Sequence, residues 1–334
     1  RYLKGRQSVD EYLKETALVN PHVKIVYLDP SGNRVVFPRV VNQLPEEPKE
    51  IKPHPYGVEL GVLWRMLHET RYNNLSGFLR NEFSRVSPRV AKEILDKAGL
   101  SEKAKPRTLG RDDAERLFNA IGSVRIMAPP TDCLSPIGGE ALLKGIKKEI
   151  DADFYCAVSR SPAVYRGNPF LVECAFAYGG GLEKEGLVRV MRFANKVPLL
   201  YQPGACAITK AVMETSWRGY GVAQSKGALP TAPLVIVVHI ASVWVPFTSE
   251  SKEAIAHYPE IVKEVKLGLQ ECGRKLSGYL RKKHKAEHEA KKKSYIEKYL
   301  PHVGIGLKEL CGLSEKKERL IVDTLRTILE KSRQ

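Results

Sequence analysis

Paired cysteine is missing from this 334-residue chain. Its six cysteines, Cys133, Cys156, Cys174, Cys206, Cys272 and Cys311, include no C-x-x-C pair, so the spacing of a zinc ribbon or a dithiol redox motif is not present. Cys156 and Cys174 lie in apolar runs and read as small buried hydrophobes, which favours a reducing compartment. No apolar run reaches the roughly 20 residues that a membrane-spanning helix needs, and no secretory leader pattern opens the chain. A cytoplasmic protein without a membrane partner is expected. Acidic residues are outnumbered, 38 against 54 Lys and Arg, leaving a formal charge of +16. Such a balance favours a polyanionic partner, nucleic acid above all.

Several catalytic signatures are also missing. No G-x-S-x-G elbow presents a nucleophile. His284 to His288 spells H-x-x-E-H, but Lys282, Lys283, Lys285 and Lys291 crowd that stretch, where cations repel a metal ion and no apolar wall excludes water. A zinc hydrolase is therefore set aside. Gly221 to Lys226 falls short of P-loop spacing and precedes a strand instead of following one, so Lys226 does not build a nucleotide site alone. The run Gly179, Gly180, Gly181 lies between two strand-like segments and reads as a hairpin turn.

What is present is concentrated between Thr215 and Pro246, TSWRGYGVAQSKGALPTAPLVIVVHIASVWVP. Trp217, Arg218 and Tyr220 pair a guanidinium with aromatic faces, a surface suited to a nucleic-acid backbone, although Trp217 also suits a core position. Lys226 stands in a Gly/Ser-rich loop before an apolar run over Leu234 to Val245 that reads as the longest strand of the chain, and a point charge there is free to reach a phosphate.

Along the chain, Ser8 is placed to cap a helix through Tyr12 and Leu13, and Asp29 to Asn33 to turn a hairpin between His22–Leu28 and Arg34–Phe37. One helix and one hairpin bury little, so residues 1–45 are expected to be the closing pieces of a larger sheet upstream. Pro45, Pro48, Pro53 and Pro55 make a linker. Residues 56–125 carry four amphipathic helices, with Ser87-Pro88 as a start and Gly99 as a stop. Their basic residues Arg71, Arg80, Arg85, Arg89 and Lys92 are candidates to meet phosphates or to be solvated surface. From Ile126 strands and helices alternate. A helix opens at Ser135-Pro136, strands cover Phe154–Val158, Phe170–Tyr178 and Leu187–Phe193, and a short helix covers Ala205–Glu214. This succession predicts a right-handed crossover with helices on one face of a sheet. A long helix follows from Ser251. Between Arg274 and Lys298 it holds ten Lys/Arg and three Glu, and it reads as a lever or as a solvated rod. Residues 301–334 form a separate helical segment.

Four ordered stretches resemble the B subunit of type IIB DNA topoisomerase, topoisomerase VI: Leu3 to His22, Leu63 to Phe83, Pro130 to Ile146 and Thr215 to Pro246. The resemblance implies an α+β chain: the end of a GHKL ATPase domain (1–45), a helix-two-turn-helix domain (56–125), and a transducer domain (126–300) with a mixed sheet, a right-handed crossover and a long C-terminal helix. It implies ATP and Mg2+ bound by a GHKL domain upstream, with Lys226 as the γ-phosphate switch lysine and Gln224 and Ser225 beside it. It implies DNA contacts at Trp217, Arg218 and Tyr220, with Arg218 where the family has Lys, and at Lys4 and Arg6, where Gln7 replaces a family arginine. Implied partners are the topoisomerase VI A subunit, a second copy of the B subunit, and double-stranded DNA. The implied function is coupling of ATP binding and hydrolysis to duplex passage, with DNA cleavage carried by the A subunit, so that this segment is inactive alone. The competing reading is a basic, non-catalytic nucleic-acid-binding protein, ribosome-associated or similar, that reuses the same modules; the upstream sequence separates the two.

Overall fold

The computed structural model describes residue 5 and residues 7–331. The chain divides into two compact units, Arg1–Lys275 and Leu276–Gln334. Among the described residues no helix is long and apolar enough to cross a membrane.

Helix α1 (Val9–Val19) starts where the sequence places it, with the Ser8 hydroxyl accepting the Glu11 N–H at 3.3 Å. Strands β1 (Ile25–Leu28) and β2 (Arg34–Phe37) pair antiparallel. Asp29 closes their turn by accepting the N–H groups of Ser31 and Asn33 at 2.9 and 2.8 Å, and Gly32 supplies the left-handed residue at φ +83°. The proline-rich linker then runs without regular structure to a short turn at Pro55–Gly57. It is tied on both sides, by Lys49 N–H to the Asp132 carbonyl and Ser84 N–H to the Pro53 carbonyl, both 2.9 Å.

Helices α2 (Leu60–Glu69), α3 (Leu75–Glu82), α4 (Pro88–Ala98) and α5 (Arg111–Ser123) enclose one core built on Leu63, Leu67, Phe78, Ile94 and Leu117. Local signals set their ends. Asn74 caps α3, Ser87 caps α4 ahead of Pro88, and Gly99 ends α4 in the left-handed region at φ +65°. Arg71, Arg80, Arg85, Arg89 and Lys92 are all exposed, and the Arg71 guanidinium lies 5.4 Å from the Tyr72 ring.

The sheet follows α6 (Gly139–Glu149). Its strands are β3 (Phe154–Ser159), β4 (Ala163–Tyr165), β5 (Asn168–Tyr178), β6 (Arg189–Ala194), β7 (Val197–Pro198) and, after α7 (Ala207–Glu214) and a small hairpin of β8 (Ala223–Gln224) with β9 (Pro230–Thr231), β10 (Leu234–Ser242). The order is β3-β5-β10-β6-β7, with β4 paired to β5. Strand β10 runs antiparallel to β5 and parallel to β6, so the sheet is mixed and α7 lies in the crossover.

Four expectations are corrected here. Gly179 to Gly181 is not a hairpin turn, because β10 lies between β5 and β6; it opens the connection that carries the chain from β5 past β10 to β6. Strand β5, with 11 residues, is longer than β10, with 9. Helix α6 begins at Gly139 instead of Ser135-Pro136, because the Glu173 carboxylate takes the N–H groups of Ile137 and Gly138 first, at 2.8 Å each. Helices also cover both faces. Ala175, Ala177, Val235 and Val237 pack with Leu18 of α1 and Ile146 of α6, while on the other face Cys174 meets α8 (Pro259–Cys311) at Gly268, where a Cβ would lie 2.7 Å from its sulfur. A strand buried on both faces reads as a continuous apolar run, which is how Leu234–Ser242 reads.

Glu173 and His239 interrupt the two apolar strands and are fully buried. His239 Nδ1 lies 2.9 Å from Glu173, while Nε2 accepts the Lys196 N–H at 2.9 Å. This pattern is that of a neutral ring donating from Nδ1. Ser159 donates to the same carboxylate at 2.8 Å. Burial alone pushes the Glu173 carboxyl up, but the His239, Ile137 and Ser159 hydrogen bonds outweigh it and hold the group below the usual carboxylate range.

In the second unit α8 continues through Pro301 to Cys311, and the boundary expected at residue 300 falls inside a helix. The helix ends at Gly312, φ +62°, with Leu313 N–H reaching back to the Lys308 carbonyl at 3.0 Å, a Schellman closure. Helix α9 (Glu315–Lys331) follows.

Candidate functional site

Lys226 occupies the tip of the β8–β9 hairpin and is exposed. The turn closes with Ala228 N–H donating to the Ser225 carbonyl at 3.1 Å. Gly227, third in that turn, has φ +71°, as a type II turn requires, and Lys226 takes the outward second position. Antiparallel pairing of Ala223 with Thr231 and Gln224 with Pro230 forms the stem, and Val188 N–H binds the Pro230 carbonyl at 2.9 Å, fixing the stem beside the start of β6.

Gln224 braces this hairpin. Its side-chain amide donates to Met213 O at 2.9 Å, at the end of α7, and to Ala228 O at 3.1 Å across the loop; its oxygen accepts the Trp217 N–H at 3.3 Å. Both amide hydrogens are thus committed within the fold. Gln224 was expected beside the nucleotide; its side chain supports the loop that carries Lys226. Ser225 is exposed beside Lys226.

The expected nucleic-acid cluster separates. Trp217 has no exposed surface; its indole N–H donates to Val212 O at 2.7 Å and its ring lies 5.7 Å from Phe176. This corrects its assignment as a DNA contact: an aromatic ring at a turn following an amphipathic helix found the sheet core, where its large apolar area is worth most. Arg218 is exposed, and its guanidinium binds the Gln224 carbonyl twice, at 3.1 and 2.9 Å. Tyr220 is half-buried, edge-on to Trp217 at 6.4 Å, and lies over Gly273 of α8, where a Cβ would come within 2.7 Å of its ring. Lys4 and Arg6 lie outside the described residues.

The same end of the sheet holds charged contacts that sequence reading missed. Arg189, first residue of β6, pairs with Glu11 and, at 3.4 Å, with Glu15 of α1. Glu15 is buried, and burial pushes its carboxyl up to about 7 against the pull of Arg192 and Lys14. Helical spacing puts Glu15 on the face of Leu18 and Val19, three and four residues on, so its inward position was legible in α1 although its charge argued against it. Glu173 and His239 were findable: a charged residue in an all-apolar strand implies a buried partner. Among the described residues no group of three or more His, Cys, Asp or Glu side chains is arranged to hold a metal ion.

Comparison with known proteins agrees with this architecture. Residues 129–292 match the family described as topoisomerase VI B subunit, transducer. The chain is 48% identical over 320 residues to the type 2 DNA topoisomerase 6 B subunit of Archaeoglobus fulgidus, covering 96% of this chain and 52% of that protein. It is 50% identical over 301 residues to the corresponding protein of Methanococcoides burtonii, covering 90% of this chain and 48% of the relative. Against that of Pyrococcus horikoshii the identity is 35% over 365 residues, covering 96% and 64%. The chain spans about half the length of the first two relatives. With the mixed sheet, the braced lysine hairpin and the first part of the long helix inside the matched segment, residues 129–292 belong to the topoisomerase VI B subunit transducer family, and the chain around them is similar to those B subunits over nearly its whole length.

Proposed function

We propose that this chain is the transducer-bearing part of the B subunit of an ATP-dependent type IIB topoisomerase, one that couples nucleotide state to passage of a DNA duplex and relaxation of supercoils. The observation that carries the proposal is the position of Lys226: an exposed ammonium at the outward position of a turn whose stem is fixed to α7, β6 and the Trp217 core. An ammonium held this way reaches an anionic oxygen on a neighbouring module without first ordering its own loop, so the contact costs little entropy. ATP with Mg2+, bound by a GHKL domain N-terminal to this segment, supplies that anionic oxygen on its terminal phosphate. Ser225, exposed beside Lys226, adds a hydroxyl donor.

The transmission path runs through the same residues. Gln224 ties the lysine loop to the end of α7, Trp217 ties it to Phe176, and Tyr220 seats it on Gly273 of α8. A pull on Lys226 is therefore a pull on the long helix, and a contact present in one nucleotide state and absent in the other biases the orientation of that helix. The remaining assignments follow. The partners are the DNA-cleaving A subunit of the holoenzyme and a second copy of the B subunit, and the substrate is double-stranded DNA. Helices α2–α5 form the helix-two-turn-helix domain, and Arg218 with Tyr220, Lys4 and Arg6 make the DNA contacts in the cytoplasm. The segment by itself has no ATPase activity.

The test is Lys226→Ala in a full-length B subunit, in complex with its cleaving partner. ATP-driven relaxation is expected to fall at least tenfold, consistent with loss of one charge-assisted contact, while melting temperature is unchanged. Undiminished relaxation ends the switch assignment.

A further inference from the structure

The carboxyl ends of the parallel strands β6 and β10 lie at the opposite end of the sheet from the Lys226 hairpin, and they carry a second cluster. Every residue of β10 is buried, yet the next two, Val243 and Trp244, are 52% and 45% exposed. Trp244 is nonetheless held. One face of its indole lies nearly parallel to the Tyr165 ring, 6.0 Å between centroids at 13°, and Tyr165 rests on Tyr258 at 4.3 Å. The Arg166 guanidinium lies 5.6 and 5.5 Å from those two tyrosine rings. Behind the indole, Ser242 accepts the Trp244 N–H at 3.2 Å and is itself clamped by the Asn195 side chain through both its N–H and its carbonyl.

In front of Trp244 is a cleft of about 580 Å³ lined by Arg166, Asn195, Trp244, Lys252 and Tyr258, among others. Its charges are Arg166 and Lys252 against Glu250. Arg166, Asn195 and Lys252 all adopt left-handed backbone conformations, at φ +43°, +47° and +55°. At Arg166 and Asn195 this is the geometry of the two-residue hairpin turns that join β4 to β5 and β6 to β7, and it places both side chains at turn tips on this end of the sheet. A purely apolar ligand gains nothing from two cations, and a small anion gains nothing from an indole. A duplex keeps its base faces inside the stack. A platform backed on one side and open on the other, flanked by cations, fits a base with its phosphate.

We propose that the Trp244 cleft binds an unpaired nucleotide of single-stranded DNA, the base stacking on the open face of Trp244 and the adjoining phosphate meeting Arg166 and Lys252. This site is separate from the Lys226 hairpin and does not rest on its nucleotide-sensing role.

The experiment uses this chain with Trp64→Phe, so that emission arises from buried Trp217 and exposed Trp244. It is titrated with a short oligothymidylate, with thymidine monophosphate and with a duplex of the same length at several salt concentrations. Saturable quenching by the oligothymidylate is expected. Trp244→Ala should remove the quench and weaken binding about tenfold, Trp244→Phe should retain most of the affinity, and Lys252→Gln should flatten the salt dependence. Far-UV circular dichroism and melting confirm that each variant is folded. Equal affinity of Trp244→Ala and its parent overturns the proposal, as does a duplex that binds and quenches as well as the single strand. Quenching by the mononucleotide at the same concentration as the oligothymidylate also overturns it, by assigning the cleft to free nucleotide.

Discussion

Tyr220 lies so close over Gly273 that a Cβ at Gly273 would sit 2.7 Å from the tyrosine ring. The turn that leads into the Lys226 hairpin and the helix that leaves the sheet are thus in direct contact through one missing side chain. Gly273→Ala should raise intrinsic helix propensity by roughly 1 kcal/mol and lose about 1–3 kcal/mol to overpacking. A net loss in urea unfolding is expected, and it should disappear in Gly273→Ala combined with Tyr220→Ser. If both backgrounds respond alike, the contact is not tight.

Gln224 joins three segments by one side chain. Gln224→Ala should cost about 1–2 kcal/mol by leaving the part-buried Trp217 N–H and Ala228 O unpaired. Hydrogen exchange should accelerate over 213–230 while β5 and β10 keep their protection. Uniform acceleration across the sheet would mean that the residue supports global stability and not the hairpin.

Trp217 separates packing from DNA contact. Trp217→Ala should destabilise the first unit by about 3–5 kcal/mol as a large core truncation. Trp217→Phe, folded at assay temperature, should bind duplex DNA as the parent does, whereas Arg218→Ala should bind less tightly with a shallower salt dependence. Weakened binding by folded Trp217→Phe would restore a direct role for the indole.

Glu15 gives the first unit a pH dependence of definite sign. Its carboxyl is raised from 4.5 to about 7, chiefly by burial. Between those values the folded chain holds a proton that the unfolded chain has released, so stability is greatest below pH 4.5 and declines as pH rises towards 7. The decline amounts to ~3 kcal/mol, from 1.36 kcal/mol per pKa unit. Glu15→Gln should therefore stabilise the protein at pH 8 and leave it nearly unchanged at pH 4, measured by denaturant unfolding. An equal effect at both pH values would show that charge burial is not its cause.

The sequence determined what depends on near neighbours. Ser8, Asn74, Ser87-Pro88 and Gly99 mark helix ends because capping is settled within four residues, and Asp29 with Gly32 marks the β1–β2 turn for the same reason. Lys226 was legible as a loop lysine, and the ordered family stretches placed it in a transducer. Tertiary structure decided what depends on distant partners. Insertion of β10 between β5 and β6 undid the hairpin reading of Gly179 to Gly181, since strand order is fixed by long-range pairing that no local pattern encodes. Trp217 went to the core and Gln224 became a brace because packing against Phe176, Met213 and the sheet, not the residue types themselves, set their burial. Chain-local hydrogen bonds are written in consecutive residues, whereas burial is a property of surfaces that meet only after folding.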